Sequence, residues 1–161
     1  MVGMDIIVTP SREVEQADLD AIFNFGKEEG LVIKSQGYYI REQAGVLDPL
    51  VLFTFEMFKL WLAAKTFDAT WDAVKRALKK TRKMKTKKGS PPNIMLKIED
   101  TGLDIIAHPA KETEEEFLDS LDSLPTYITN QKKFSGHIFF DTKNKRWVTI
   151  EERWAEQQKK D

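Results

Sequence analysis

A chain of 161 residues, 41% apolar and 11% aromatic, is long enough to bury a core and too apolar to remain disordered. Its 25 basic and 26 acidic side chains leave a net charge of -1, which excludes a global field that would draw in nucleic acid. The absence of cysteine removes disulfides and thiolate metal sites, and it fits a reducing, cytoplasmic setting.

The N-terminus lacks the basic stretch of a secretion signal, and Ile6, Ile7 and Val8 before Pro10 spell a strand. Thr9 and Pro10 offer a cap and a first helical residue. The helix they open ends near Gly30, with Leu19, Ile22, Phe23 and Gly26 on one face. Leu31–Lys34 and Tyr38–Arg41, around Ser35-Gln36-Gly37, predict a hairpin. Asp48 and Pro49 repeat the cap-plus-proline signal and open a predicted helix over residues 48–64.

From Leu50 to Ala64 only Thr54, Glu56 and Lys59 are not apolar, so that helix is apolar around most of its circumference. It must sit in a core, on a partner chain or against a membrane. Residues 49–65 would span roughly 25 Å, short of a bilayer core, and Glu56 and Lys59 lie mid-segment. A membrane partner is therefore not expected.

A second helix runs from about Ala69 into the lysines. Trp71, Val74 and Leu78 fall within an arc of about 60°, while Lys75, Arg76, Lys79, Lys80, Arg82 and Lys83 occupy a separate arc of about 160°. Residues 75–88 hold nine cations in fourteen positions. Gly89-Ser90-Pro91-Pro92 stops the helix, so residues 85–93 read as an exposed basic linker inside a single domain, 1–161.

Ile94–Ile98 and Leu103–Ala107 form the clearest hairpin. Thr113 to Glu116 match a capping box, followed by Phe117, Leu118, Leu121 and Leu124 at helical spacing and Pro125 as a stop. His137–Phe140 and Trp147–Val148 flank a turn at residues 141–145. A second capping box, Thr149 to Glu152, starts a terminal helix.

The order β-α-β-β-α-α-β-β-α-β-β-α predicts an α+β fold: a mostly antiparallel sheet built from hairpins with helices packed on one face, a two-layer sandwich. This order resembles ferredoxin-like folds with a helical insertion. It is also similar to the small companion subunits encoded beside effector enzymes in bacterial conflict systems. Both resemblances rest on element order and attach no role to any residue.

The chemistry is mostly absence. His108 and His137, the only histidines, read as polar strand residues. No metal-ligand spacing, phosphate loop or nucleophile motif occurs, so no metal, cofactor or catalytic residue is expected. Glu114, Glu115 and Glu116 suit a helix N-terminus, and Asp141 suits a turn. Trp147 and Trp154, near Lys143, Lys145 and Arg146, offer a stacking platform for single-stranded nucleic acid. Packing of these aromatics on their own sheet is the simpler reading.

The basic run has three readings. It is a solvated helix face, a phosphate-binding arm, or a dock for an acidic surface such as the 112–122 helix of another copy. The leading functional expectation is a non-enzymatic protein–protein interaction or adaptor module, such as a small companion subunit. It would assemble with itself or another chain through Phe53, Met57, Leu60 and Trp61. Lys75, Arg76, Lys79, Lys80, Arg82 and Lys83 form its anion- or partner-binding face. The alternative is a nucleic-acid-binding accessory protein that uses the basic helix 75–88.

Overall fold

The computed structural model describes residues 6–12, 14–37, 50–85, 89, 91–100, 103–131 and 134–159. The expected strand at Tyr38–Arg41 and the expected helix start at Asp48 and Pro49 lie outside the described residues, as do the turn residues 101–102 and part of the basic linker. The strands are β1 (Ile6–Pro10), β2 (Ile33–Ser35), β3 (Leu50–Glu56), β4 (Asn93–Asp100), β5 (Leu103–His108), β6 (Phe134–Asp141) and β7 (Arg146–Thr149). The helices are α1 (Gln16–Glu28), α2 (Phe58–Leu62), α3 (Phe67–Arg82), α4 (Glu114–Asn130) and α5 (Ile150–Lys159).

The strands form one seven-stranded sheet in the order β2-β1-β3-β4-β5-β6-β7. Pairs β1–β2, β3–β4 and β5–β6 are parallel, and β1–β3, β4–β5 and β6–β7 are antiparallel. The α+β class holds, but the sheet is mixed rather than mostly antiparallel. The hairpins β4–β5 and β6–β7 form as expected. Between them, each helical excursion is long enough to carry the chain back to start a neighbouring strand in the same direction. Nothing in this order singles out a ferredoxin-like arrangement.

Residues 50–56 correct a second expectation, because they form a strand and not the start of a helix. β3 lies between β1 and β4, and Leu50 through Phe55 are all buried. A run apolar at every position but Thr54 suits a strand covered on both faces as well as it suits a buried helix. Val51, Phe53, Thr54 and Phe55 are β-formers, and they favour the strand. Helix begins only at α2, after Met57 adopts a positive φ of 55°. Thr9 and Pro10 belong to β1 rather than to a helix cap, and α1 starts at Gln16.

One face of the sheet carries the main core. Alternate strand residues, including Val8, Phe53, Phe55, Leu96, Ile98, Ile105, Ala107 and Ile138, meet the apolar sides of α1, α3 and α4. Within it Phe55, Phe58, Trp61, Phe67 and Trp71 form a cluster of largely edge-on rings. Gly26 lets α1 approach β2, since a Cβ there would stand 2.5 Å from Cδ1 of Ile33. On the opposite face, Leu50, Leu52 and Met95 form a smaller cluster with Ile106 against it. α5 also lies on that face, because Arg153 sits 4.7 Å over the ring of Phe139, whose strand neighbour Ile138 points into the main core.

Pro125 does not stop α4, which runs on to Asn130. A proline inside a helix lacks the N–H that would bond the carbonyl four residues earlier, here that of Leu121. The indole Nε1–H of Trp71, on α3, donates to that carbonyl at 3.0 Å. A tertiary contact thus supplies the donor that the local sequence withholds.

Candidate functional site

α3 is as amphipathic as its sequence predicts: Trp71, Val74 and Leu78 are buried, and the cationic arc lies outside the core. α1 and α4 flank it, and each presents carboxylates. On the α1 side Arg76 Nε lies 2.7 Å from Glu29 Oε2, and Lys80 Nζ lies 3.3 Å from Glu28 Oε2. On the α4 side Lys75 pairs with Asp122, and also with Asp72 of its own helix. Lys79 and Lys83 both reach Glu114 Oε1, at 3.2 and 3.3 Å. Five of the six expected anion-binding residues therefore have a carboxylate of the same chain beside them. The acidic helix expected to meet the basic face of another copy meets the basic face of its own.

Exposed pairs of this kind add little stability individually. Their consequence is electrostatic, because they return field lines within the chain instead of projecting them. Burial works against the charged form of Lys75, yet its hydrogen bonds to Asp122 and Asp72 outweigh that and raise its pKa. Hydrogen bonds from Lys79 and then Lys83 hold the Glu114 carboxyl below its usual value of 4.5. A carboxyl lowered in the folded state contributes stability above its unfolded pKa and loses it as pH falls through the folded value. Glu114→Gln should therefore show a smaller loss of melting temperature between pH 5 and about pH 3 than the parent chain. An unchanged acid limb in thermal scans would show that these pairs do not couple α3 to α4.

Arg82 differs from the other five. It makes no ion pair with a carboxylate among the described residues. Its Nη2 donates to the carbonyl of Lys111 at 3.0 Å, and its guanidinium sits 5.5 Å from the centre of the Phe117 ring. Arg82 and Lys83 line a cleft of about 520 Å³ where the end of α3, the start of β4, the end of β5 and the start of α4 converge. Ile94, Ala110 and Phe117 give it an apolar lining, and Pro91, Pro92 and Pro109 contribute walls without N–H groups. Lys111 adds a third basic residue.

Sequence reasoning found Arg82 and Lys83 but not the cleft. Its signal was present in the hairpin itself: pairing β4 with β5 brings Pro91 and Pro92, before β4, near Pro109 and Lys111, after β5.

The other expected groupings divide. Phe53 and Trp61 are each only 2% exposed and belong to the chain's own core, whereas Met57 and Leu60 are 62% and 53% exposed. Burial in the main core removes the first two from the surface of this fold, and the expected interface narrows to the second two. Trp147 and Trp154 do not share a platform. Trp147 is buried and donates to the Ser120 carbonyl at 3.0 Å, while Trp154 is exposed on α5. Arg146 nearby is paired with Glu156 at 2.9 Å.

The two histidines, read separately in the sequence, are brought together on adjacent strands. His108 Nε2 lies 2.8 Å from His137 Nδ1, so one imidazole donates to the bare nitrogen of the other. His108 also stacks on Phe139 at 4.5 Å. No sequence signal marks this pair, because it depends on the β5–β6 register. Among the described residues, no group of three or more His, Asp or Glu side chains converges as metal ligands would. None of the described helices is long and apolar enough to cross a membrane. Comparison with protein-family models, curated proteins and solved structures found no match to this chain.

Proposed function

We propose that this chain is a non-enzymatic protein-interaction module, of the companion-subunit kind, that receives a short segment of a partner at the cleft beside Arg82. The observation that supports this reading is the contrast in charge partnering along α3. Five cations have carboxylate partners within the chain, while Arg82 is fixed at an apolar-lined cleft without a carboxylate partner among the described residues. A binder of duplex backbone needs several cations free to displace counterions. A cleft of about 520 Å³ is instead the size of a pocket that takes a few groups with one or two fixed polar contacts. Met57 and Leu60 lie at the other end of the sheet, beyond β3, and are available as a second, apolar contact.

The test is selection of displayed peptides on the immobilised chain, run beside fluorescence anisotropy with a labelled duplex at ~50 mM salt, a condition that favours phosphate contacts. Peptides that place a carboxylate beside an aliphatic or aromatic residue should be enriched, and Arg82→Glu should abolish their binding. The duplex should not bind. No enrichment over a blank surface would overturn the proposal. Duplex binding with a log–log salt slope of roughly -4 to -5 would favour the nucleic-acid alternative.

A further inference from the structure

We infer that the cleft recognises the free C-terminal carboxylate of a partner protein whose last residue is apolar. The inference rests on the interaction reading above and makes its site specific. Arg82 carries the argument. The Phe117 ring on its face and the Lys111 carbonyl on Nη2 fix the guanidinium plane, and no other acceptor among the described residues engages the fork, whose remaining N–H groups can donate to an external ligand. A guanidinium held in this way matches the two oxygens of a carboxylate.

The charge at the mouth suits a single anion. Lys83 shares the Glu114 carboxylate with Lys79, so Arg82 is the fixed cation of the α3 side without an ion-pair partner among the described residues, with Lys111 beside it. The walls point the same way. Pro91, Pro92 and Pro109 have no N–H, so three of the lining residues offer no backbone donor to the carbonyls of a peptide threaded through the cleft. A chain end does not meet that difficulty, since both its terminal oxygens face Arg82 and its side chain fills the apolar part. A pocket of this size fits capture of an end, not the length of a docked strand or helix.

The probe is the tripeptide N-acetyl-Ala-Ala-Leu as free acid and as C-terminal amide, with octanoate as a non-peptide carboxylate. Each is titrated into isotope-labelled full-length chain and followed by amide chemical shifts. The free acid should move the amides of Ile94, Ala110, Lys111 and Phe117. The amide should bind at least about tenfold more weakly, since it lacks the charge that the fork recognises. Arg82→Lys keeps the charge and loses the fork, and should weaken the acid by about tenfold as well. An unaltered remainder of that variant's spectrum would show that its fold is intact.

Equal binding of acid and amide would overturn the inference, and so would octanoate binding as tightly as the tripeptide acid. If displayed peptides are still selected through internal residues, the interaction reading survives and only the chain-end assignment fails. If no peptide in either format binds, both fall.

Discussion

Replacing Phe58 by alanine should lower the unfolding free energy by about 3–5 kcal/mol, as removal of a fully buried phenyl ring does when its surroundings cannot collapse. Phe58 has no exposed surface and touches the rings of Phe55, Trp61, Phe67 and Trp71 at centroid separations between 5.5 and 6.3 Å. Four rigid aromatic neighbours relax poorly around a void, so both the transfer and the cavity contributions are lost. Two residues away, Leu60→Lys should change stability by no more than about 0.5 kcal/mol, because Leu60 is 53% exposed. Chemical denaturation of the two variants gives the comparison directly. Similar effects at 58 and 60 would contradict the packing of α2 described above.

Trp71→Phe should cost about 1–3 kcal/mol, even though much of the ring is retained, because it strands the Leu121 carbonyl inside the core. That carbonyl cannot be served by its own helix while Pro125 lacks an N–H. Pro125→Ala restores the local donor, so the two substitutions should be coupled. The double variant should be more stable than the sum of the single changes implies, by an amount that a double-mutant cycle reads from denaturation midpoints. Strict additivity would mean that the indole N–H and the missing helix bond are unrelated.

The parts of the fold legible in the sequence are those set by neighbours along the chain. Both capping boxes form: Glu116 N donates to Thr113 Oγ1 at 3.1 Å, and Glu152 N donates to Thr149 Oγ1 at 3.2 Å. Among the described residues the order of elements also matches in its letters, although residues 50–62 fill it differently. Leu50–Glu56 is a strand and α2 is a five-residue helix, where a single helix over 48–64 is expected from the sequence. An apolar run interrupted only by Thr54 shows no clear period, so local pattern cannot separate a doubly buried strand from a buried helix. Pro125 misleads for the converse reason, since its signal is local and its remedy comes from Trp71.

The candidate site divides along the same line. Arg82 and Lys83 announce themselves by charge. Which cations are balanced depends on where α1 and α4 come to rest, and that is a tertiary fact.

The sheet has one further consequence. β1, β2, β5 and β6 run one way while β3, β4 and β7 run the other. The step from β1 to β2 goes toward one edge, whereas those from β3 to β4 and from β5 to β6 go toward the other. Reversing either the strand direction or the step sends a crossover of given handedness to the opposite side of a sheet. The first two crossovers differ in both respects, so α1 and α3 share a side with the same handedness. The third differs from the second in direction alone, yet α4 lies against α3, tied by the Trp71–Leu121 bond. Its handedness must therefore be opposite. Parallel crossovers are right-handed in about 98% of cases, so a sheet that holds both hands departs from that rule at one crossover or more. A path of the same hand as the first two would have carried α4 to the side where Leu50, Leu52 and Met95 cluster.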